Sequence, residues 1–78
     1  MSSVFFVYPP EVHNDKYFIM SDAKTEILIT NAKGETVDTA VLEEKNSYSY
    51  FFQGVPPGLY NITGKNYNGV LSKKVTFD

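Results

Sequence analysis

The sequence predicts an all-β fold, a small two-sheet sandwich, and three observations carry that prediction. Apolar residues alternate with polar ones over short stretches, the period-two pattern of a half-buried strand. Glycine, proline and asparagine punctuate those stretches at roughly 8–12-residue intervals, the spacing of sandwiches and barrels. Helix signal is nearly absent. The one candidate, Thr39-Ala40-Val41-Leu42-Glu43-Glu44-Lys45, is too short to stand without tertiary support.

Seven strand segments are expected in order. The first, Val4–Tyr8, is closed by Pro9-Pro10, and the second, Tyr17–Met20, follows the polar stretch His13-Asn14-Asp15-Lys16. The third, Thr25–Thr30, places Ile27 and Ile29 on one face. Asn31-Ala32-Lys33-Gly34 then turns the chain, with Gly34 suited to positive φ. The fourth, Thr36–Leu42, presents Val37, Thr39 and Val41 together and ends in a solvated turn, Glu43-Glu44-Lys45-Asn46. Tyr48, Tyr50, Phe51 and Phe52 dominate the fifth, Ser47–Gln53, which alternation splits into Tyr48, Tyr50 and Phe52 on one face and Phe51 on the other. Gly54-Val55-Pro56-Pro57-Gly58 breaks the chain, because two prolines fix φ and remove two donors between flexible glycines. The sixth, Leu59–Lys65, aims Tyr60 and Ile62 inward. Asn68-Gly69 reads as a type I′ hairpin turn, and the last segment, Val70–Phe77, puts Leu71, Val75 and Phe77 on one face.

Seven short strands joined mostly by tight turns bury their alternating apolar faces by folding into two facing antiparallel sheets. The expectation is therefore one immunoglobulin-like (transthyretin-like) sandwich spanning residues 1–78, with residues 1–8 as an edge strand or an assembly arm. At 78 residues the chain has room for one core, and a composition 42% apolar and 15% aromatic supplies one.

Composition also removes most chemistry. The seven basic residues are all lysine, so the planar fork that reads phosphate bidentately is missing and nucleic acid is not expected as a partner. Without cysteine there is no thiolate nucleophile, zinc-thiolate site or disulfide framework. The single histidine, His13, excludes a multi-histidine metal site. His13 and Asp15 lie two apart in a polar stretch with no oxyanion-hole motif beside them, and read as a solvated loop rather than a hydrolytic pair. Asp15, Asp22, Glu26, Glu43 and Glu44 never fall into the tight spacing of a calcium loop. Asn61-Ile62-Thr63 is formally a glycosylation triplet but lies inside an expected core strand. No catalytic, cofactor or metal residue is assigned, and the chain reads as non-enzymatic. The longest apolar run, Val4–Tyr8, is far short of the roughly 20 residues that span a bilayer, and Met1-Ser2-Ser3 lacks the marks of a secretory signal. The chain then works where it is made, or is a piece of a larger exported protein.

Two aromatic stretches remain as candidate protein-binding residues. Val4, Phe5, Phe6, Val7 and Tyr8 lack the lysines that usually blunt an edge strand. They are either covered by the domain's own core or form an arm that adds to a neighbour's sheet. Tyr48, Tyr50 and Phe51 could form an exposed strip for a protein partner or for sugar stacking. With no tryptophan in the chain, protein contact is preferred.

The stretch Phe51-Phe52-Gln53-Gly54-Val55-Pro56-Pro57-Gly58-Leu59-Tyr60-Asn61-Ile62 resembles carboxypeptidase-regulatory-like and related prealbumin-type domains, in which an aromatic strand leads through a Pro-Gly turn into a Gly-x-Tyr strand. A wider resemblance takes in Val7-Tyr8-Pro9-Pro10, then the run Ile27-Leu28-Ile29-Thr30-Asn31-Ala32-Lys33-Gly34-Glu35-Thr36-Val37, then Pro57-Gly58-Leu59-Tyr60 and Lys73-Lys74-Val75. That order looks like the C-terminal sorting domain of type IX secretion cargo, also a seven-stranded sandwich. From the residues, the leading expectation is a structural module docking onto a larger assembly, most simply a phage virion decoration or accessory protein. The resemblance implies the alternative, an extracellular accessory or sorting domain of a secreted bacterial protein at the cell surface. A carbohydrate-binding module is the third reading. The expected partners are proteins or copies of the chain itself.

Overall fold

The computed structural model describes residues 4–8 and 13–78. Its strands are β1 (Phe6–Tyr8), β2 (His13–Asn14), β3 (Lys16–Met20), β4 (Thr25–Asn31), β5 (Thr36–Leu42), β6 (Ser49–Gln53), β7 (Gly58–Asn66) and β8 (Gly69–Phe77). They form two sheets, β1-β3-β6 and β2-β8-β7-β4-β5. Seven strands pair antiparallel, as the alternation and turns require. The two-residue β2 is added in parallel beside β8, where a solvated loop is expected from the sequence.

Alternation determines what is buried. Ile27 and Ile29 of β4, Tyr60 and Ile62 of β7, and Val75 and Phe77 of β8 meet Tyr17, Ile19 and Phe52 from the other sheet. Each fully buried side chain of this size contributes about 1.5–3 kcal/mol. The rings pack edge-on rather than stacked: Phe77 lies 4.8 Å from Phe52, 5.2 Å from Tyr17 and 5.4 Å from Tyr60. That arrangement sets the positive edge of one ring against the negative face of the next. The two tyrosines keep their hydroxyls satisfied: Tyr17 donates to the Thr76 carbonyl and Tyr60 to the Pro56 carbonyl, each at 2.7 Å. The Tyr60 bond ties the Gly-x-Tyr strand back to the proline corner four residues upstream, the device of a tyrosine corner.

Turns depart from expectation in two places. Gly34 does take positive φ (84°), in a β4–β5 turn held by the Asn31 side chain, whose Oδ1 accepts from the amides of Lys33 and Glu35. The β7–β8 turn, however, is not type I′. Neither Tyr67 nor Asn68 at its tip has positive φ, and Gly69 carries it instead (128°). The Asn66 Oδ1 accepts the Asn68 amide at 2.7 Å, so a side chain supplies the closure that the I′ backbone would have given. The second departure shortens the fifth strand. After the 3-10 turn Glu44–Asn46, Ser47 and Tyr48 both sit in the left-handed region, at φ 57° and 56°, so pairing begins at Ser49.

Candidate functional site

The candidate residues Val4 to Tyr8 divide between the two sides of the smaller sheet. Val4 and Phe5 enter the core. The reason is a socket: Gly64 of β7 has no side chain, and a Cβ there would lie 2.7 Å from Phe5 Cε1. Asn66 closes the socket, its Nδ2 donating to the Val4 carbonyl at 3.0 Å and to Thr25 Oγ1 at 2.9 Å. Val4 and Phe5, offered by the sequence as contact residues, are thus covered by the domain's own core. Val7 also packs inward, whereas Phe6 and Tyr8 stand in solvent at 48% and 63% exposure.

The fifth-strand candidates also separate. Phe51 is exposed, opposite in direction to buried Phe52, as alternation requires. Tyr50 is half-buried against the core, and its hydroxyl hydrogen-bonds Asp38 Oδ2 across the gap between β6 and β5. That bond to a carboxylate, reinforced by burial and by the Asp38 charge, pushes the Tyr50 pKa up to about 12. Tyr48 does not join Tyr50 and Phe52 on one face, because its left-handed backbone takes it out of the strand. It lines a shallow open cleft with Ala23, Lys24, Glu26, Val41 and Tyr67 instead.

Register brings Phe6, Tyr8 and Phe51 together with residues that the sequence reading passed over. The pairs Tyr8↔Phe18 and Phe18↔Phe51 place three rings in one row across the outer face of β1-β3-β6. Phe6↔Met20 and Met20↔Ser49 form the neighbouring row, and Lys16↔Gln53 the third. Phe18 and Phe51 are in contact, centroids 4.6 Å apart and planes tilted by 48°, and the Lys16 Nζ stands 5.3 Å from the Phe51 centroid. Strict alternation in Lys16–Met20 was the available signal, since it sets Lys16, Phe18 and Met20 opposite Tyr17 and Ile19. The Phe18 and Phe51 rings are tilted to one another and not coplanar.

The outer face of the larger sheet is built differently. Leu28 stands between Thr39 and Thr63, and Glu26 faces Lys65 across β4 and β7. Leu28 is flanked by hydroxyls and Val41 by Glu26, which is ordinary solvated surface. Among the described residues no three His, Asp or Glu side chains gather to hold a metal ion.

The fold is a small all-β two-sheet sandwich with a row of aromatic rings on one outer face. The chain belongs to the secretion system C-terminal sorting domain family, whose description it matches over residues 7–78. No curated protein and no solved structure matches the chain. The family places the domain on secreted or cell-surface protein and supports the second of the sequence readings. The virion-decoration reading finds no support in it.

Proposed function

We propose that this domain is a non-catalytic recognition module, the part of a secreted bacterial protein by which a type IX secretion system sorts it, read through protein contact. The observation that carries this reading is the family match across residues 7–78, nearly the whole of the folded chain. The non-catalytic part is supported by composition, which lacks cysteine and offers one histidine, and by an interior filled with hydrocarbon and rings. The protein-contact part is supported by the exposed aromatic row of the smaller sheet, since soluble proteins seldom leave contiguous rings in water without use.

The test is a fusion of residues 1–78 to the C-terminus of a reporter carrying its own signal for the periplasm. In cells with a working type IX system the reporter is expected at the surface or in the medium. In an isogenic strain lacking the system it is expected to stay in the periplasm. Equal retention in both strains would contradict the reading.

A further inference from the structure

We propose that the outer face of β1-β3-β6 is the surface that the sorting machinery grips, and that its occupant is a protein surface that is apolar with a carboxylate set opposite Lys16. The proposal rests on the sorting reading and adds where, and by what chemistry, the domain is held.

The rings of this face adjoin one another in register. Phe6, Tyr8 and Phe51 are each about half exposed or more, and Phe18 and Met20 fill the space between them. Five of the eight outward positions of the smaller sheet, Phe6, Tyr8, Phe18, Met20 and Phe51, are therefore adjoining apolar residues with Lys16, Ser49 and Gln53 at their margin, whereas on the larger sheet Leu28 stands between two threonines and Val41 beside Glu26. Burying such a patch yields free energy in proportion to its apolar area, and it pays off only against another apolar surface.

The face also differs in charge from the rest of the chain. The outward positions of β1, β3 and β6 are Phe6, Tyr8, Lys16, Phe18, Met20, Ser49, Phe51 and Gln53, with one ammonium and no carboxylate. The chain as a whole is acidic, with nine carboxylates against seven lysines. A face that is cationic on an anionic protein selects for a partner with negative charge there and against one with positive charge. Lys16 lies in the row beside the rings with its Nζ 5.3 Å from the Phe51 centroid, so the complementary carboxylate is needed near Phe51 only.

Three rings about half exposed present roughly 250–400 Å², against about 800 Å² per partner for a standard stable interface. A second copy seated on the rings alone would fall short of a stable dimer. A contact of that area is weak and readily released.

The reporter fusion decides the matter when its surface variants are exported side by side with the parent. Phe51→Glu and Tyr8→Glu are expected to cut surface reporter at least roughly tenfold, the loss of a contact anchor, while the purified domains melt like the parent. Lys16→Glu is expected to reduce export and Lys16→Arg to keep it. Val70→Glu, on an exposed residue of the larger sheet, is expected to export normally. Should Phe51→Glu lower the melting temperature, Tyr8→Glu decides, because Tyr8 is the most exposed of the rings on this face. Export of the face variants at the parent level would overturn the docking face and leave the sorting reading standing. Retention of the parent itself would sink the sorting reading and the face with it. Self-association of the isolated domain in sedimentation, abolished by Phe51→Glu, would put a second copy on the face and overturn the proposed occupant.

Discussion

Tyr50 joins the two sheets at their β5–β6 side through a bond to Asp38, and that pairing makes a pH-dependent contribution of known sign. Its folded pKa, about 12, lies above the ordinary tyrosine value of 10.0. The stabilisation is therefore fully present below pH 10 and is lost as pH rises through 12. Denaturant melts between pH 9 and 12 are expected to show this loss in the parent and a shallower one in Tyr50→Phe, which has no proton to lose. Asp38 points inward on β5, an edge strand, and an inward charge is one way proteins keep an edge from pairing with a neighbour. Tyr60 offers a second residue-scale check. Tyr60→Phe removes only the bond to the Pro56 carbonyl and is expected to cost about 1 kcal/mol. Tyr60→Ala empties a ring site in the core and is expected to cost about 3–5 kcal/mol.

At the scale of elements, the first strand is held by what precedes it. Phe5 seated over Gly64 fixes β1 against β3, and that leaves Phe6 and Tyr8 pointing out. Gly64→Val would drive a side chain into the Phe5 ring and is expected to cost at least about 1–3 kcal/mol, read as a fall in thermal midpoint. Phe5→Ala tests the same contact from the other side. An unchanged midpoint in both variants would show that the segment before β1 contributes nothing to the fold. Gly58 has φ 151° and open space around it, so a side chain there would be strained only through the backbone. Gly58→Val is accordingly expected to cost about 1–3 kcal/mol.

These elements also show where the sequence was readable. Strands with one face in the core announce themselves by alternation, which is why Ile27, Ile29, Tyr60 and Ile62 are buried as expected; Thr36–Leu42 keeps its bounds, yet Val37, Thr39 and Val41 face outward and Asp38, Ala40 and Leu42 inward. Local chemistry at the ends was harder. Asn68-Gly69 carries the usual I′ dipeptide, yet the tip falls on Tyr67 and Asn68 because β7 runs on to Asn66. Phe5 and Phe6 are adjacent and chemically alike, and only the glycine socket, some sixty residues away in the chain, decides which of them is buried. The aromatic row is the least readable feature. Tyr8, Phe18 and Phe51 belong to three strands far apart in sequence, and nothing short of the β1-β3-β6 order brings them together.

For the whole molecule, two sheets and one core leave a small margin: domains of this size hold only roughly 3–5 kcal/mol. Core truncations such as Phe52→Ala, expected to cost about 3–5 kcal/mol, should therefore unfold the isolated domain. That marginality gives a way to separate a folded signal from a linear one. If the machinery grips the sandwich, the rings must be presented together, and an unfolded chain with the same residues presents none of them in register.

The most direct measurement is the fraction of fused reporter reaching the cell surface, per molecule of fusion made, for the parent domain beside Phe52→Ala. Phe52 is buried and touches no outside surface, so its loss acts only through the fold. Export of the parent with retention of Phe52→Ala is the result expected of a sorting domain read as a folded sandwich. Equal export of the two would mean that a linear segment is read, and would contradict the account.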